Sequence, residues 1–130
     1  MADFFNEIKS RLEKIVKESD GEYEKVYYGI CNDKDINSYN LLIFRRVKTE
    51  CSGKRNEPGQ DYYKVYIIRE NYIPEGAVQK VIDVLEAPSA DGKKFKLTGD
   101  PVTYDFSTKD STDVVIEMAT VNFTRPERRY

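Results

Sequence analysis

The chain has 130 residues, 21 basic and 23 acidic, giving a net charge of −2 with 39% hydrophobic and 34% charged residues. That balance excludes a disordered chain and argues against a surface built to grip nucleic acid. One domain is expected, able to bury roughly two thirds of what its unfolded chain exposes, and no apolar run nears the roughly 20 residues of a membrane span.

Phe4, Phe5, Ile8, Leu12, Ile15 and Val16 form an apolar stripe at helical spacing, predicting a helix from about Ala2 to Glu18. Asp3 suits its first turn, and Gly21 can take the left-handed conformation that closes a helix. The N-terminal stretch lacks the apolar segment of a signal peptide, so a cytoplasmic chain is expected. Glu24–Cys31 reads as a strand, followed by a polar turn at Asn32–Ser38. Tyr39–Lys48 reads as a second strand, apolar on both faces in its middle and hence central in a sheet. The two are expected to pair as an antiparallel hairpin. Residues 49–60 carry Gly and Pro and almost nothing apolar, predicting a mobile loop.

The stretch 61–85 organises the rest. Tyr62–Glu70 alternates as a strand, with Tyr63, Val65 and Ile67 on one face and Tyr62, Lys64, Tyr66 and Ile68 on the other. Past Pro74 the period changes. Val78, Val81, Ile82 and Leu85 repeat at helical spacing, predicting a helix over Glu75–Glu86 with Pro74 in its first turn and Pro88 ending it. After an irregular link at 87–94, Phe95–Leu97 and Val102–Phe106 read as one strand interrupted at Gly99-Asp100-Pro101. A turn at 107–112 leads to the last strand, Asp113–Phe123. The order α-β-β-β-α-β-β predicts a single α+β domain, a mainly antiparallel sheet of about five strands with both helices packed on it.

The absence of histidine excludes Ser-His-Asp and Cys-His catalysis and histidine-bearing zinc sites. Cys31 and Cys51 have no CxxC spacing and read as free thiols. No phosphate-cradling glycine motif occurs, and Asp33 and Asp35 lack the glycine and distal glutamate of a calcium loop. No cofactor and no metal is expected. Glu117 and Arg69 interrupt strands; a solvent-facing or cross-strand ion-pair role outweighs a catalytic one. Ten tyrosines suit core packing first and a protein interface second.

Three stretches, LLIFRRVK at 41–48, YYKVYIIRENYIPEG at 62–76 and VVIEMATVNFTRPERR at 114–129, are similar to segments of small proteins of phages and prophages of Gram-positive bacteria. With the element order and the length, the chain resembles the tail terminator, or tail-completion, proteins of long-tailed bacteriophages. The resemblance implies a structural protein with no enzymatic activity. It implies a ring, usually a hexamer, that caps the tail tube and joins it to the head connector. The partners implied are other copies of the chain, the tail tube protein and a head-completion protein, with no sequence-specific nucleic acid and no membrane. The locations implied are the bacterial cytoplasm during assembly and then the virion tail. The alternative is a small cytoplasmic ligand-binding or enzymatic α+β domain with a pocket between sheet and helices. For contacts, Lys54, Arg55 and Asn56 in the loop are candidates for a ring-to-ring surface. Arg125, Arg128 and Arg129 are candidates as a basic C-terminal arm over 124–130, and Arg45, Arg46, Arg69 and Glu70 for inter-subunit ion pairs.

Overall fold

The structure, a computed structural model, describes residues 4–19, 21–29, 40–50, 59–88, 95–108 and 113–126. Along the chain these are α1 (Phe4–Glu18), β1 (Lys25–Tyr28), β2 (Leu41–Glu50), β3 (Gln60–Glu70), α2 (Ala77–Glu86), β4 (Lys96–Leu97), β5 (Thr103–Thr108) and β6 (Val115–Pro126). The architecture is a single α+β domain with a mostly antiparallel six-stranded sheet. Its path is β1-β2-β3-β6, and β4 and β5 both pair with the side of β6 that β3 leaves open. The interrupted strand is therefore real. The Gly99-Asp100-Pro101 break separates two pieces lying along one edge, because proline has no N–H to give to a ladder.

β3 and β6 form the spine, paired without a register break from Gln60↔Pro126 to Glu70↔Ile116. Period-two alternation sends Tyr63, Val65 and Ile67 of β3 and Ala119, Val121 and Phe123 of β6 to one face. There they meet Ile8, Leu12 and Ile15 of α1 and Val81, Ile82 and Leu85 of α2 in a single apolar cluster. β2 joins that cluster through Leu42 and Phe44, while its alternate residues Leu41 and Ile43 are buried on the opposite face. A strand apolar on both sides does sit between two neighbours, as its sequence predicts.

Four expectations need correction. β1 and β2 run parallel, Lys25↔Leu41 through Tyr28↔Phe44, instead of forming an antiparallel hairpin. The link at positions 29–40 is long enough for a crossover, and β3 already occupies the other side of β2. α2 starts at Ala77, after Gly76, whose φ of 89° a residue with a Cβ rarely adopts. Pro74 therefore precedes the helix, its carbonyl accepting a hydrogen bond from the Ala77 N–H at 3.1 Å. The loop expected over 49–60 is shorter: Thr49↔Asp61 and Glu50↔Gln60 are still paired, past a bulge at Val47. The expected turn at 107–112 begins later, since Ser107 and Thr108 belong to β5. Residues 51–58 and 109–112 of these segments, the Asn32–Ser38 turn and both cysteines lie outside the described residues.

The two faces of β3 should differ sharply in their response to truncation. Ile67, fully buried against both helices, should cost about 3–4 kcal/mol as Ile67→Ala, the range for large-to-small changes in a packed core. Half-buried Ile68, on the face away from the helices, should cost about 1 kcal/mol as Ile68→Ala for the smaller area returned to water. Urea denaturation of the two variants reads the difference directly.

Candidate functional site

The strongest polar feature lies under the helices. Arg125 is fully buried, and its Nη1 donates to the Glu7 Oε2 of α1 at 2.9 Å. The other carboxylate oxygen of Glu7 accepts from Arg11 Nη2 at 3.4 Å, one helical turn on. Arg11 then spends its Nη1 on the last carbonyls of α2: Val84 at 2.8 Å, Leu85 at 3.1 Å and Ala87 at 2.6 Å. These carbonyls have no partner within their own helix, and a cation there also answers the negative end of the helix dipole. One carboxylate thus ties β6, α1 and the end of α2 together.

Around it the packing is aromatic. The Arg125 guanidinium lies 4.8 Å from the centre of the Phe95 ring, and Phe95 meets Tyr63 edge to face at 5.6 Å. Burial, and then the nearby Asp61 charge, push the Tyr63 hydroxyl up to about 12, against a smaller opposing pull from Arg46 and Arg125. Among the described contact residues suggested by the sequence, Arg46 and Arg125 are the two whose charges act together on the Tyr63 hydroxyl.

Arg125 is not part of an arm. β6 continues through Pro126, beyond the expected end at Phe123, so the basic tail is part of the sheet as far as that residue. Strand alternation turns residue 125 inward, and the buried guanidinium is compensated there by the Glu7 carboxylate and the Phe95 ring. Arg69 is likewise engaged inside the molecule. It donates to the Glu22 carbonyl, and its guanidinium sits 5.1 Å from the Tyr23 ring, fastening the α1–β1 turn to the end of β3. Burial, opposed by that Arg69 charge, raises the Tyr23 hydroxyl above its ordinary range. Arg69 stands opposite Glu117 in the β3–β6 register, yet Glu117 turns its Oε1 to the Ile73 N–H at 2.6 Å. Neither residue faces solvent as a simple surface charge. Arg45 donates Nε to the Tyr66 hydroxyl at 2.9 Å, and the backbone N–H of Glu70 is held by the Asn40 side chain at 3.0 Å. Lys54, Arg55, Asn56, Arg128 and Arg129 lie outside the described residues.

Two surface features remain. An open cleft of about 390 Å³ lies at one end of the sheet, lined among others by Lys48, Tyr62, Lys64, Thr98, Asp100 and Asn122. At its rim Lys48 Nζ contacts Glu50 Oε1 at 2.8 Å, while Tyr62 donates to Glu50 Oε2 at 3.0 Å. Those hydrogen bonds, Lys48 first and then Tyr62, lower the Glu50 carboxyl below its ordinary value. The second feature is apolar. All six residues of β5 are exposed, and Tyr104 (49%) and Phe106 (65%) face the helix side of the sheet beyond the helices' cover. Val115, at the start of β6 opposite Thr108, is exposed as well, and so is Tyr72 at 68%. Among the described residues no strand pairs with the outer edge of β5. Nor does any group of three or more acidic, cysteine or histidine side chains converge there as a metal site would require. No helix among them is long and apolar enough to cross a membrane.

No protein family model matches the chain, and no curated protein matches it either.

Sequence reasoning passed over Glu7 and Arg11, and it read β5 as a strand without marking it as an exposed edge. The (i, i+4) spacing of Glu7 and Arg11 was visible, but nothing local says that a distant arginine completes the network. Glu7→Ala should cost about 3 kcal/mol in chemical denaturation, because it removes the carboxylate beside a buried guanidinium. Glu7→Gln should cost less. The raised Tyr63 hydroxyl has its own signature. Its folded value lies above the unfolded one, so its stabilising effect is complete below about pH 10 and fades toward about pH 12. Tyr63→Phe should therefore flatten the alkaline limb of the stability–pH curve relative to the parent protein.

Proposed function

We propose that this chain is a structural subunit of a phage or prophage tail, one that closes into a ring, caps the tail tube and meets the head connector. The observation that supports the reading best is that, among the described residues, no strand pairs with the outer edge of β5, beside exposed Tyr104, Phe106 and Val115. An edge strand leaves a row of N–H and C=O groups free to pair with another chain, and proteins that must stay single usually guard such edges with lysine, proline or a cover. Here the edge carries one charge, Asp105, and two large aromatic rings. Exposed apolar surface next to free hydrogen-bonding groups marks a place where chains associate. The sequence resemblance supplies the identity of the assembly, and the edge supplies a means.

The second reading, a small ligand-binding domain, has the cleft between Lys48, Lys64 and Asp100 in its favour. Its lining of lysines, an acid and an amide would suit a small polar molecule. The binding chemistry of an assembly protein and of a ligand-binding monomer separates cleanly in solution.

Light scattering across a range of concentration, with and without purified tail tube protein, tests the ring. Six copies of a 15.1 kDa chain, six times 15.1, give about 90 kDa for a closed hexamer. A discrete multimer alone or on the tube supports the reading. A 15.1 kDa species under every condition, tube protein included, sinks it.

A further inference from the structure

The open cleft at one end of the sheet holds an arrangement of charge that packing alone does not account for. On the face away from the helices, the β2–β3 register sets Arg45 directly opposite Lys64. Like charges facing each other across an antiparallel pair destabilise it. Both residues are half-buried, and the strand that carries Lys64 lies between β2 and β6. Arg45 gives its Nε to the Tyr66 hydroxyl at 2.9 Å, a neutral acceptor that leaves the charge unanswered. Lys64 has no ion pair and no side-chain hydrogen bond among the described residues.

The positions beside Lys64 add further donors. β6 places Asn122 opposite it, and two residues back on the same face Thr120 stands opposite Thr103 of β5. Lys64, Thr103, Thr120 and Asn122 all line the cleft. Thr120 is only 7% exposed, yet its hydroxyl has no hydrogen-bond partner among the described residues. A polar group buried to that degree ordinarily finds one. The nearby acids are engaged elsewhere. Glu50 holds Lys48 at 2.8 Å and the Tyr62 hydroxyl at 3.0 Å. Asp100 accepts from the Thr98 hydroxyl at 2.7 Å, and its charge bears on Lys48.

We propose that the cleft binds a small molecule through an oxyanion, a carboxylate or phosphate group seated on Lys64 with Thr120 and Asn122 as further donors. An anion there answers the unpaired ammonium, offsets its repulsion with Arg45 and gives the Thr120 hydroxyl an acceptor. Asp100, in the same lining, would accept from a hydroxyl or amine elsewhere on the molecule. A volume of about 390 Å³ suits a ligand of that size. The site is built within one chain and does not depend on ring closure.

Isothermal titration calorimetry with inorganic phosphate, and separately with citrate, at constant ionic strength tests the assignment. At least one of the two should bind saturably at one site per chain. Lys64→Met keeps most of the side chain and removes the charge, and should weaken that binding about tenfold. Thr120→Val, which replaces the hydroxyl by a methyl group, should weaken it roughly threefold to tenfold. Lys14→Met, on the exposed side of α1, should bind as the parent does, which separates the cleft from a general effect of charge. Without ligand, Lys64→Met should unfold at a temperature no lower than the parent, because a like-charge pair is gone; lost binding is then not lost folding. Binding of phosphate alone assigns a phosphoryl group to the ligand, and binding of citrate alone a carboxylate. If neither anion binds saturably, or if Lys64→Met and Thr120→Val both bind as tightly as the parent, the proposal is overturned. Either result leaves the ring reading to be decided by light scattering.

Discussion

The unbroken pairing of β3 with β6 is the constraint from which the other placements follow. Eleven consecutive residue pairs, Gln60↔Pro126 to Glu70↔Ile116, lock the alternation of both strands at once. A slip of one residue would exchange Tyr63, Val65 and Ile67 for Tyr62, Lys64, Tyr66 and Ile68 on the core side, placing a lysine against the helices. Because that exchange is so unfavourable, the side on which α1 and α2 must lie is settled. β2 then follows from β3, β1 from β2, and β4 and β5 from the remaining side of β6. The helices supply the apolar cover, and the sheet supplies the frame.

The same pairing explains why Arg125 is buried. Once Ala119, Val121 and Phe123 face inward, alternation requires residue 125 to face inward too, whatever its charge. The fold accommodates the guanidinium with Glu7 on one side and the Phe95 ring on another. Glu7 in turn engages Arg11, which terminates α2. A charge forced inward by strand register thus becomes the fastening between three elements. Such a group gives little net stability compared with an apolar residue of the same shape, but it penalises any packing in which Glu7 points elsewhere.

How much of this the sequence carried depends on the range of the interaction. Period and composition placed both helices, the division of β3 into two faces, the central position of β2 and the break between β4 and β5, because each depends on residues close in the sequence. The parallel pairing of β1 was not legible. Val26 and Tyr28 would show the same alternation in either direction, so the local pattern cannot decide between them; β3's place on the far side of β2 fixes only which edge β1 takes. Arg125 was read as part of a tail because basic residues near a terminus usually are; the residue that retains it, Glu7, stands at the opposite end of the sequence. The left-handed Gly76 displaced the start of α2 by two residues for a purely local reason, hidden only because Pro74 offered an equally good start.

The edges of the sheet were legible as strands but not as edges. Val102–Phe106 reads as part of an ordinary interrupted strand, and nothing in its sequence marks Tyr104 and Phe106 as exposed. In the fold, those rings lie past the reach of the helices, which leave β5 bare. A domain that functioned alone could shorten this strand or place a lysine in it at little cost. Instead β5 pairs with β6 over all six of its residues and keeps both of its rings exposed, the combination that a strand held along one side presents to another chain.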